Sequence, residues 1–108
     1  MAQIAFFDVK NDGQLSEIKT YNNWSPRWTH IIPGNYGGTG HTDLLFYDKT
    51  TGDAEFYISD GAGAITKIKE IKGGWRTTWT NIVAGNFAGG DLSDLLFYEG
   101  STGRAEFY

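Results

Sequence analysis

The residues best suited to chemistry in this chain are two tryptophans and the polar groups beside them. Trp24 follows Asn22-Asn23 and Trp75 follows Gly73-Gly74, so each indole is expected on a loop and not within a strand. An exposed indole covers the apolar face of a sugar ring, while amide and guanidinium donors take the hydroxyls. Asn23 and Arg27 stand beside Trp24, and Arg76 follows Trp75. Asn23, Trp24, Arg27, Trp75 and Arg76 therefore form the candidate sugar-binding set. The competing reading places both indoles in an apolar core, where Trp28 and Trp79 are expected.

These residues sit in an internal repeat, which is sought before any other pattern. Trp24–Tyr57 aligns with Trp75–Tyr108 at an offset of 51, and eighteen of the 34 pairs are identical. The identities include Asp43-Leu44-Leu45-Phe46-Tyr47 with Asp94-Leu95-Leu96-Phe97-Tyr98, and Ala54-Glu55-Phe56-Tyr57 with Ala105-Glu106-Phe107-Tyr108. Upstream the offset becomes 50, which sets Phe6-Phe7 over Phe56-Tyr57 and Gly13 over Gly63. The chain thus reads as two units of about 50 residues, near 4–57 and 58–108, cut out of phase with the structural unit. One element occurs three times, at Ile4–Phe7, Ala54–Tyr57 and Ala105–Tyr108.

Catalysis finds little support. His30 and His41 have Asn81 and Leu92 as repeat partners, so no histidine site is repeated. Neither a Gly-x-Ser-x-Gly elbow nor a phosphate loop is present. Asp48 and Asp53 flank a turn, where acids are ordinarily solvated. No enzyme activity and no cofactor is expected. The 108 residues contain no cysteine, which excludes a disulfide framework, a thiolate metal site and a cysteine nucleophile. The net charge of −4 leaves no basic footprint for nucleic acid. No apolar run approaches the roughly 18 residues of a membrane span, and no secretion signal is read after Met1. Aromatic content of 16% excludes disorder, because such a chain has much to bury.

Each unit carries four strand-like runs separated by glycine-rich turns. They are Trp28–Pro33, Asp43–Asp48, Asp53–Ser59 and Ala64–Ile71, with matches at Trp79–Ala84, Asp94–Glu99, Arg104–Tyr108, Ile4–Val9 and Gln14–Tyr21. Glycine and asparagine supply the left-handed conformations of tight turns, and aromatic and β-branched residues suit the strands between them. Leu44-Leu45-Phe46-Tyr47 is apolar on both faces, as in a strand covered on both sides. Ile65, Ile68 and Ile71 recur every three residues and leave a short helix open as an alternative for the fourth run. The expected fold is all-β, with four-stranded antiparallel β-propeller blades, two per chain. Two blades cannot close a ring, so the expected partners are identical chains: three for six blades or four for eight.

The segment Gly34-Asn35-Tyr36-Gly37-Gly38-Thr39-Gly40-His41-Thr42-Asp43 resembles the FG-GAP (VCBS-type) propeller repeat, with its Gly-Asp-Phe-Asp-Gly-Asp-Gly-x-x-Asp loop. That resemblance implies calcium at Asn35, Gly37, Thr39 and Asp43, and at Asn86, Ala88, Gly90 and Asp94. One carboxylate per loop is too few for an ion that takes six to eight oxygens. No metal is therefore expected, and Asp43 and Asp94 are read as turn-closing side chains.

Asn22-Asn23-Trp24-Ser25-Pro26-Arg27-Trp28 and the residues after it resemble the repeats of tachylectin and of the PLL-type bacterial lectins. The resemblance implies a sugar pocket at each blade or blade junction and a parent family that is typically extracellular. Asn23, Trp24 and Arg27 match in the first copy. In the second only Trp75 matches well, since Gly74 and Thr78 replace Asn and Arg. The leading expectation is a non-catalytic, carbohydrate-binding propeller module. The alternatives are a structural or protein-interaction propeller of FG-GAP type, and an engineered or excised fragment whose selected property is folding and assembly.

Overall fold

A computed structural model describes residues 2–108. The described residues form nine β-strands and no helix: β1 (Ala2–Val9), β2 (Leu15–Trp24), β3 (His30–Gly34), β4 (Asp43–Asp48), β5 (Asp53–Ser59), β6 (Ile65–Ile71), β7 (Asn81–Gly85), β8 (Asp94–Glu99) and β9 (Arg104–Phe107). They pair antiparallel into three sheets, ordered β1-β2, β3-β4-β5-β6 and β7-β8-β9. The all-β expectation holds, and the strands fall close to the runs read from the sequence. Ile65–Ile71 is a strand, not a helical turn. Its pairing with β5 satisfies the backbone groups that a helix of seven residues could not stabilise alone.

Turn chemistry explains the connections. Asp48 accepts from the Thr50 amide at 2.9 Å and its carbonyl from the Gly52 amide at 2.8 Å, closing the β4–β5 turn. Gly52 has a φ of 78°, and a Cβ there would strike the Trp75 carbonyl. Gly103 at the matching turn has a φ of 76° but open space around it. The repeat extends to irregularities: β1–β2 shifts register between Phe6 and Phe7, and β5–β6 between Phe56 and Tyr57. Ala2 pairs with Trp24 at the position where the Trp75 amide donates to the Gly52 carbonyl at 3.1 Å. The β1-β2 hairpin is therefore the counterpart of β5-β6, one repeat earlier.

The core lies between the second and third sheets. Ile32, Leu45, Tyr47 and Ala54 of one pack with Ile82, Leu95 and Phe97 of the other, together with Trp79. The Tyr47 hydroxyl donates to the Arg76 carbonyl, His30 Nε2 lies 2.9 Å from the Thr80 carbonyl, and the Asn35 side-chain amide donates to the Asp91 carbonyl at 3.0 Å. On its other face β4 presents Phe46 to Trp24, Trp28 and Tyr57. Asp43, Leu45, Phe46 and Tyr47 are fully buried and Asp48 nearly so, so β4 is covered on both sides as expected. β8 is not: Leu95 and Phe97 are buried, but Tyr98 is 41% exposed because, among the described residues, no further sheet packs on the outer face of the third sheet.

Candidate functional site

Two clefts stand at the same place in the repeat. The first, of about 440 Å³, is lined by Asn23, Trp24, Arg27, Trp28, Glu55 and Tyr57, with Ser25, Glu70 and Lys72. The second, of about 350 Å³, is lined by Trp75, Arg76, Trp79, Phe97, Glu106 and Tyr108, with Gly74 and Leu95. Shifted by one repeat, the Trp24–Trp28 pair becomes Trp75–Trp79, and Glu55–Tyr57 becomes Glu106–Tyr108. All five candidate residues named from the sequence line one or the other cleft. Both volumes lie in the range of about 300–1,000 Å³ typical of small-molecule sites.

One correction follows from the strand pairing. Trp24 is not on a loop: it is the last residue of β2, and Asn23 precedes it in the same strand. Asn22-Asn23 continues the ladder because β1 supplies a partner strand, which local composition does not reveal. Trp75 does lie between strands. Both indoles are only half-buried, yet both are stacked. Trp24 packs against Tyr21, Phe46 and Tyr57 at centroid distances of 5.4–5.7 Å. Trp75 packs against Tyr47, Phe56 and Phe97 at 5.1–6.1 Å. Each ring thus joins two sheets and leaves one part open to its cleft.

Arg27 is held rather than free. Its Nη2 lies 2.7 Å from Asp53, its Nε 3.8 Å from Asp48, and its guanidinium stacks 4.5 Å from the centre of Trp28. At the matching turn the cation has moved. Thr78 replaces Arg27 and donates to Glu99 at 2.6 Å, while Arg76 reaches the same carboxylate at 3.3 Å and lies 5.5 Å from the Trp79 ring. Burial works to raise the Asp48 carboxyl, but hydrogen bonds from Thr50 and Thr51 and the charge of Arg27 outweigh it and hold it below the usual range. Hydrogen bonds from Thr78 and Thr102, with Arg76, hold Glu99 low as well.

The sequence reading missed the acid–tyrosine pair that forms the far wall of each cleft. Tyr57 donates to Glu55 at 2.7 Å, and Tyr108 donates to Glu106 at 2.7 Å. Burial, then the bond to Glu55, pushes the Tyr57 hydroxyl well above its ordinary value; the bond to Glu106 raises Tyr108. The repeated Glu-Phe-Tyr segment carried the signal, because alternation along a strand puts Glu and Tyr on one face. Lys67 lies 3.7 Å from Glu55 and 3.2 Å from Glu70, so the first cleft also holds a small ion-pair network. Together these groups offer aromatic faces, carboxylate acceptors and cationic donors around a solvent-open hollow.

The remaining candidates lie outside the two clefts. Asp43 accepts from the amides of Tyr36 and Gly37 at 3.0 and 2.9 Å and of Ser59 at 3.0 Å, closing its loop as expected. With both its oxygens so engaged, the loop does not fit a calcium site. Asp94 accepts from the Ala88 amide at 2.7 Å. His30 bridges two sheets, and His41 lies against Gly61. Among the described residues no three His, Asp or Glu side chains cluster in a way that could hold a metal ion. No protein family matches this chain, and neither a curated protein nor a solved structure matches it significantly.

Proposed function

We propose that the chain is a non-catalytic carbohydrate-binding module of a β-propeller closed by several identical chains, three giving six blades or four giving eight. The observation that carries the binding reading is the convergence of Asn23, Trp24, Arg27, Trp75 and Arg76 on two repeat-related clefts, each walled by two tryptophans and a Glu–Tyr pair. A sugar ring stacks on indole and exchanges hydrogen bonds with carboxylate, amide and guanidinium. Several weak clefts on one ring would gain avidity for a multivalent glycan.

Two quantities support the ring. A compact chain of 12.0 kDa is expected to expose about 6,000 Å², and this one exposes 6552 Å². Its radius of gyration is 14.9 Å, against about 13 Å for a domain of this length. The excess is apolar in part: Val83, Tyr98 and Phe107 of the third sheet are exposed, as are Val9, Leu15 and Ile31 in the first two.

Glycan-array binding tests the function. Because Trp24 is stacked between sheets, Trp24→Ala conflates folding with binding. Asn23→Ala and Lys72→Ala are the cleaner variants, since both are exposed and reach the first cleft. Loss of glycan binding with unchanged thermal stability supports the reading. A silent array with intact rings favours a structural or protein-interaction propeller, which the stacking of both indoles within the aromatic layers would also suit.

A further inference from the structure

The free edge of β1 points to a specific joint between chains. Among the described residues β1 pairs only with β2, so its other edge presents N–H and C=O groups with no strand partner. Ala2-Gln3-Ile4-Ala5-Phe6-Phe7 carries no charge and no proline. Exposed edges of that kind recruit a further strand, and proteins that avoid this place charge or proline there. Nearby, Ile31 of β3 is 54% exposed, on the face of the second sheet that β1-β2 only partly covers.

The internal repeat identifies what fits that edge. In the second sheet the strand paired with β5 is β4, by Leu44↔Tyr57, Leu45↔Phe56, Phe46↔Glu55 and Tyr47↔Ala54. β1 is the counterpart of β5, and β8 is the counterpart of β4. Within the chain β8 pairs instead with β9, a strand of four residues whose Phe107 is 64% exposed and is followed by Tyr108 at 70%. β9 is held by four register pairs, by two backbone bonds between Tyr108 and Leu95, and by Phe107 and Tyr108 stacking on Phe87 and Phe97, with little burial. β1 has eight residues and is tied to β2 by seven register pairs. A β8 that exchanges β9 for a β1 therefore gains a longer partner and a fourth strand with it.

We propose that, in the ring inferred above, β8 of each chain releases β9 and pairs with β1 of a second copy, forming a four-stranded sheet of β7, β8 and the second copy's hairpin. The proposal rests on the ring reading. Its register is that of β4 on β5: Leu96 opposite the partner's Phe6, Phe97 opposite the partner's Ala5, and Tyr98 opposite the partner's Ile4. The exposed outer face of the third sheet then covers Ile31 of the partner subunit, as Leu45 and Tyr47 cover Ile82 within one chain.

The exchange also rebuilds the second cleft. The partner's Ala5 and the partner's Phe7 take the positions of Glu106 and Tyr108. The partner's Thr20 and the partner's Asn22 take those that Glu70 and Lys72 hold in the first cleft. Each chain then carries two unlike sites: one at Trp24 lined by Glu55, Glu70, Arg27 and Lys72, and one at Trp75 whose lining keeps Arg76 and has no carboxylate.

Because the chain has no cysteine, mixing Ile4→Cys chains with Tyr98→Cys chains tests the register directly. Mild oxidation is expected to yield disulfide-linked heterodimers of the two variants. Rings without that cross-link overturn the exchange. A chain ending at Gly103 supplies a second test by native mass spectrometry. It is expected to form rings with the same number of chains as the parent. If the parent forms rings and the folded shorter chain is monomeric, β9 holds the joint and the exchange is wrong while the ring stands. A monomeric parent overturns both.

Discussion

Ile31 and Ile82 occupy the same register position in β3 and β7, yet Ile82 is 7% exposed and Ile31 54%. The second sheet covers Ile82, whereas β1-β2 does not reach Ile31. Ile82→Ala removes a packed side chain between two sheets and is expected to cost about 2–5 kcal/mol in urea unfolding. Ile31→Ala is expected to leave the unfolding midpoint of the single chain nearly unchanged and to weaken assembly instead. Equal destabilisation by the two substitutions would mean that Ile31 is already covered within the chain.

Asp43 and Asp94 offer a second contrast between the repeats. Asp43 is fully buried and satisfies three amides, and Asp94 is half-buried. Asp43→Ala leaves those donors unpaired, at about 1–3 kcal/mol for each buried group. It is expected to lower the melting temperature well beyond Asp94→Ala. A comparison of the two melts checks the point.

Gly52 and Gly103 separate strain from collision. Both have φ near +80°, so alanine at either is strained by about 1–2 kcal/mol. Only at Gly52 would the new methyl also meet backbone, the carbonyl of Trp75, whose amide donates to the Gly52 carbonyl and ties the following segment to the second sheet. Gly52→Ala is expected to unfold at clearly lower urea than Gly103→Ala. Equal midpoints would show that the segment around Trp75 gives way freely.

Stability should fall at both extremes of pH. Asp48, Asp53 and Glu99 have carboxyls held below their usual values in the folded chain. The unfolded chain binds their protons more tightly, so their contribution is present above the ordinary carboxylate range of 3.8–4.5 and is lost as pH falls through the lower folded values. Tyr36 and Tyr57 are raised above 10.0, chiefly by burial. Their contribution is intact below pH 10 and is lost as pH rises through the folded values. Urea midpoints between pH 2 and 12 should form a plateau with two falling limbs. Asp48→Asn should flatten the acid limb and Tyr57→Phe the alkaline one; unchanged limbs in both variants would remove these groups from the account.

The sequence by itself determined the strand pattern and the repeat. Period-two aromatics, glycine turns and eighteen repeated identities are local or self-referential features, readable without a structure. It also nominated the five cleft residues, because indoles beside Asn and Arg stand out by type. Tertiary structure decided what each of them does. Arg27 and Arg76 sit at different repeat positions and still reach the matching carboxylates of Asp48 and Glu99, which alignment alone hides. Trp24 belongs to a strand because Ala2 pairs with it from the far end of a hairpin. Glu55 and Tyr57 joined the first cleft because strand alternation turned both toward it, opposite Arg27. Which of two equal isoleucines is buried depended on the sheet that lay against it, and burial is a property of the neighbour as much as of the residue.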